Sequence, residues 1–70
     1  MIKQIGQRVK ILGGMSEFID QIGTIVDNTE RDGSRAMYRV QLDSPIMIPG
    51  VGEVGDDLWT GSFLRNIKQA

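Results

Sequence analysis

Six residues, Gln21-Ile22-Gly23-Thr24-Ile25-Val26, constrain the fold of this chain more than any other stretch. They set a glycine at the entry to a β-branched run, and β-branched side chains favour a pleated, half-buried strand. A glycine at that place marks backbone in an unusual conformation or a neighbour that comes very close. Upstream, Arg8-Val9-Lys10-Ile11 alternates polar and apolar, so Val9 and Ile11 face inward while Arg8 and Lys10 face water. Leu12 breaks the alternation, and Gly13-Gly14 ends the strand and opens a wide loop. The stretch from Val9 to Val26 is therefore read as two strands around which the rest is arranged.

The remaining segments fit an all-β plan. Ile2 and Ile5 are read as tucking against the sheet from the N-terminal lead-in. The loop from Met15 to Asp20 carries Phe18 and Ile19, which are expected to close one end of the core, with a binding-face role for Phe18 as the alternative. Asp32-Gly33 marks a turn that needs positive φ. Met37 to Asp43 is the clearest strand, with Tyr38, Val40 and Leu42 on one face and Met37, Arg39 and Gln41 on the other. It pairs with Ile22 to Val26 as an antiparallel hairpin. Ser44-Pro45 is expected to end that strand, because proline cannot donate to a ladder. Ile46 to Gly55 then reads as an irregular excursion or a short hairpin turning at Pro49-Gly50. A fourth strand is predicted at Asp56 to Trp59, a turn or single 3₁₀ turn at Thr60 to Phe63, and a closing strand at Leu64 to Ile67.

Size and composition narrow the function. Seventy residues form one domain near the lower limit for an adequate core. Cysteine is absent, so neither a disulfide nor a thiolate metal site adds stability, and the absence of histidine removes the commonest metal ligand and general base. Hydrophobic residues make up 40% and charged residues 24%, a globular balance. A net charge of −1 and a pI near 5.1 argue against nucleic acid as the main partner. No apolar run reaches membrane-spanning length and no signal-peptide core is seen, so a soluble, cytoplasmic protein is expected.

Two groups of residues carry a family resemblance. One is Arg8 to Leu12 followed by Phe18-Ile19-Asp20-Gln21-Ile22-Gly23-Thr24-Ile25-Val26. The other is Tyr38 to Asp43 followed by Phe63-Leu64-Arg65-Asn66-Ile67. Together they resemble the SH3-like barrels of the small accessory photosystem I protein group, relatives of which include accessory subunits of ferredoxin-dependent complexes. The first half is also similar to a KOW-type motif of ribosomal and transcription proteins. The layout is further similar to the type II dihydrofolate reductases, tiny barrels that assemble around one shared pore. That family's valine-glutamine-isoleucine-tyrosine motif is replaced by Asp56-Asp57-Leu58-Trp59, so its activity is not carried over. The expected fold is a single five-stranded SH3-like barrel over residues 1–70.

No catalytic constellation is legible. Glu53, Asp56 and Asp57 are close in sequence, but they lack calcium-loop spacing, and adjacent carboxylates on a strand point to opposite faces. The serines have no histidine to activate them. Gly50-Val51-Gly52-Glu53-Val54-Gly55 matches a dinucleotide-type glycine string, yet two aspartates and no helix follow it. A non-catalytic reading without cofactor or metal is expected.

Charge and apolar surplus remain. Lys3, Arg8 and Lys10 precede the first acid, whereas Asp43, Glu53, Asp56 and Asp57 lie in a stretch without a base. If the fold holds these regions apart, the molecule has a basic and an acidic side suited to oriented docking; the alternative is ordinary surface charge. Ile46, Met47, Ile48, Val51, Val54 and a partly exposed Trp59, rimmed by Arg39, form the expected contact surface for a protein partner or a second copy. The resemblance implies one specific version, an accessory protein whose Arg8, Lys10 and Arg39 face an acidic electron carrier. The competing reading is a nucleic-acid module using Arg8, Lys10, Arg31, Arg35 and Arg39.

Overall fold

The computed structural model describes residues 4–28 and 37–68. Within them five strands form one antiparallel sheet: β1 (Arg8–Ile11), β2 (Ile22–Asn28), β3 (Met37–Ile48), β4 (Gly52–Thr60) and β5 (Leu64–Asn66). Short 3₁₀ turns lie at Ser16–Phe18 and Gly61–Phe63. The spatial order is β4-β3-β2-β1-β5. Four strands meander, and the fifth returns to the first, the order of a five-stranded SH3-like barrel. Among the described residues the ladder is not closed between β4 and β5. No helix among them is long and apolar enough to cross a membrane.

The core follows from strand alternation. Val9 and Ile11 of β1, Ile25 of β2 and Val40 of β3 are fully buried, joined by Tyr38, Leu42, Ile48, Trp59 and Leu64. Phe18 reaches this cluster from the β1–β2 loop and meets Trp59 edge-on, with ring centroids 5.0 Å apart and planes at 81°. Gly23 pairs with Val9 on one side and Leu42 on the other. A β-carbon on it would lie 2.5 Å from the carbonyl oxygen of Gln41 and 2.7 Å from a methyl of Val40. Close approach of a neighbouring strand, as expected, is the reason for glycine there.

Three expectations are corrected. Ser44-Pro45 does not end β3, which continues to Ile48. Pairing with β4 shifts register between Gln41↔Asp56 and Ile46↔Val54, so Leu42 to Pro45 bulge opposite Gly55. A bulge leaves the proline with no ladder donor to supply. For the same reason β4 begins at Gly52 and not at Asp56, and the turn at Pro49-Gly50 joins two regular strands. Ile19 is exposed because its neighbour Phe18 takes the inward position, and Ile5 is exposed at 61%. Ile2 and the Asp32-Gly33 turn lie outside the described residues.

Candidate functional site

The β3–β4 hairpin divides the expected contact surface in two. Ile46 pairs with Val54, Met47 with Glu53 and Ile48 with Gly52. Side chains alternate along a strand, so Ile48 turns inward and is buried, while Ile46 and Val54 pack partly against the core. Met47 and Val51 turn outward and are 68% and 69% exposed. Trp59 is 4% exposed, so it is a core residue and not a surface anchor. Of the six apolar residues expected at the surface, Met47 and Val51 are fully outside.

Each cation of the expected docking face holds a carboxylate. Arg8 donates from Nη1 to Asp43 Oδ1 at 2.6 Å and to Thr24 Oγ1 at 3.0 Å, and from Nη2 to Asp43 Oδ2 at 2.5 Å. This hydrogen bonding, stronger than the opposing effect of desolvation, lowers the Asp43 carboxyl below its ordinary value and raises the Arg8 guanidinium. Lys10 lies 3.6 Å from Asp20, whose own backbone takes a positive φ of 73°. Arg39 lies 3.1 Å from Asp56 across the β3–β4 pair. The basic and acidic segments are thus interleaved and not held on opposite sides, because β1 and β3 both flank β2. Arg31 and Arg35 lie outside the described residues. Among the described residues no three His, Cys, Asp or Glu side chains are grouped to hold a metal ion.

One concave feature has no counterpart in the sequence pattern. A pocket of about 240 Å³ opens between the β1–β2 loop and the end of β4. Met15, Phe18, Met37, Leu58, Trp59 and Phe63 supply its apolar walls. Asp57 stands at its lining with no ion-pair partner among the described residues, its Oδ1 accepting only the backbone N–H of Leu58 at 2.8 Å. The Trp59 indole N–H has no acceptor among them, and it is not sealed from solvent. Gly14, at φ +95°, lies against it: a β-carbon there would sit 3.1 Å from Nε1. These residues come from three separate segments, and only the shared face of Asp57 and Trp59 on β4 shows as spacing.

No protein-family model matches the chain, nor does any curated protein or any solved structure.

Proposed function

We propose that this chain is a small non-catalytic protein-interaction module, and that the outward face of its β3–β4 hairpin makes the contact. The supporting observation is the pair Met47 and Val51, both about two-thirds exposed at the end of a hairpin whose other face is packed on the core. An apolar pair held on a rigid two-stranded projection presents contact area at little further ordering cost. A second copy or a larger complex is the partner class. The version in which Arg8, Lys10 and Arg39 bind an acidic carrier requires that carrier to displace Asp43, Asp20 and Asp56, and the nucleic-acid version faces the same competition.

Sedimentation equilibrium over a wide concentration range tests the self-associating form. The expected result is a mass that rises with concentration in the native chain and stays monomeric in a Met47→Lys, Val51→Lys double variant. A native chain that stays monomeric throughout overturns self-association. A photocrosslinker placed at position 51 in cells then tests docking, and a lack of any protein adduct overturns the hairpin interface altogether.

A further inference from the structure

We propose that the pocket beside Trp59 binds an extended peptide segment bearing a bulky apolar side chain and a basic side chain two positions apart. The apolar side chain enters between Met15, Met37 and Phe63. The basic one pairs with Asp57, and a peptide carbonyl accepts the Trp59 indole N–H.

Three independent features select this ligand. The first is the indole donor, which belongs to a side chain more than nine-tenths buried and yet has no acceptor among the described residues. A buried donor costs free energy when left unpaired, so its access to the pocket marks where an acceptor belongs. Gly14 keeps that approach clear, since any side chain at its position would crowd Nε1. The second is Asp57, a carboxylate without an ion-pair partner beside a largely apolar wall, which selects a cation. The third is spacing. Asp57 and Trp59 are two residues apart on β4 and share a face, about 6.6 Å along the strand. An extended ligand repeats its side chains at the same interval, so an apolar and a basic residue at positions i and i+2 match the two features. β4 is also the terminal strand of the sheet order, and its outer edge is open to an extended chain.

A second copy is disfavoured as occupant. Its exposed hairpin brings Glu53 directly opposite Met47, which would place a carboxylate near Asp57. The pocket is distinct from the hairpin surface, so the two proposals stand or fall separately.

The chain has one tryptophan, so a single indole N–H resonance reports the site. The probes are acetylated, amidated Gly/Ser heptapeptides with a central Leu-Ser-Arg or Arg-Ser-Leu, titrated into ¹⁵N-labelled protein. The expected result is a saturable displacement of the indole resonance by at least one of them, with Kd on the order of 100 μM. Replacing Arg by Glu or Leu by Ala in the probe should remove saturation. Asp57→Asn, at an exposed position, should weaken binding about fivefold while leaving the folded spectrum intact. Three results overturn the proposal: no saturable displacement by either basic probe, equal response to the acidic probe, or an indole resonance that moves with protein concentration alone. The last would make a second copy the occupant. Saturation by argininamide alone, as tightly as by the peptide, overturns it in favour of a small cationic ligand.

Discussion

Arg8 grips both carboxylate oxygens of Asp43, reaching from β1 across β2 to the bulged part of β3. The pair is partly exposed, with side chains 31% and 47% accessible, so its worth depends on solvent conditions. Asp43 holds its proton less tightly in the folded chain than in the unfolded one. Its stabilising effect is therefore complete above the ordinary carboxylate pKa and lost as pH falls through the depressed native value. Urea midpoints of the native chain and Asp43→Asn should differ by a constant amount at neutral pH, and the difference should shrink below about pH 4. About 1 M salt should shrink it at neutral pH as well. A difference that grew on acidification would contradict the pairing.

Gly23→Ala should destabilise strongly. The added methyl would meet the Gln41 carbonyl and a Val40 methyl, and the first of these is backbone that cannot rotate away. Overpacking of this sort costs about 1–3 kcal/mol, and a backbone neighbour puts Gly23 near the top of that range. Gly55→Ala is the control, because nothing lies within 4 Å of the added atom, and the expected change is within about 0.5 kcal/mol. Denaturant unfolding of the two variants gives the comparison directly.

Phe18→Ala should cost about 3–5 kcal/mol, a large part of the stability of a domain this small. Phe18 is 2% exposed and carries the edge-on contact to Trp59. Loss of that ring opens the indole to water, so tryptophan emission should shift to the red even where the variant remains folded. Phe18→Leu keeps most of the volume and should lose about half as much.

Met47→Lys and Val51→Lys should leave the unfolding midpoint nearly unchanged, within about 0.5 kcal/mol each, since both side chains are outside the core. Ile48→Lys, one residue away on the opposite face, should prevent folding. The contrast between neighbours tests the assignment of hairpin faces, independently of whether any partner binds.

The strands are legible where alternation is clean. Val9 with Ile11 and Tyr38 with Val40 and Leu42 point inward as their spacing requires, and Gly23 has the close neighbour its position implies. Pro45 misleads because a ladder rule applies only where a ladder exists, and a bulge suspends it for several residues. Ile19 misleads because composition says that apolar residues tend to pack, not which of two adjacent ones will. The interleaved ion pairs are hidden for a different reason. Arg8 and Asp43 are 35 positions apart and meet only through sheet order, which no local pattern encodes. The pocket beside Trp59 is equally nonlocal, assembled from a loop, a strand end and a 3₁₀ turn.

The pairing of β5 with β1 brings Asn66 beside Val9 and Leu64 beside Ile11. Every other strand pair among the described residues joins sequence neighbours, so this one requires a long loop of chain to be shut before any of its hydrogen bonds form. That closure sets the pace of folding: the meander assembles first, and docking of three terminal residues is the late, slow event. Substitutions in β5 should accordingly hasten unfolding while leaving the refolding rate almost untouched.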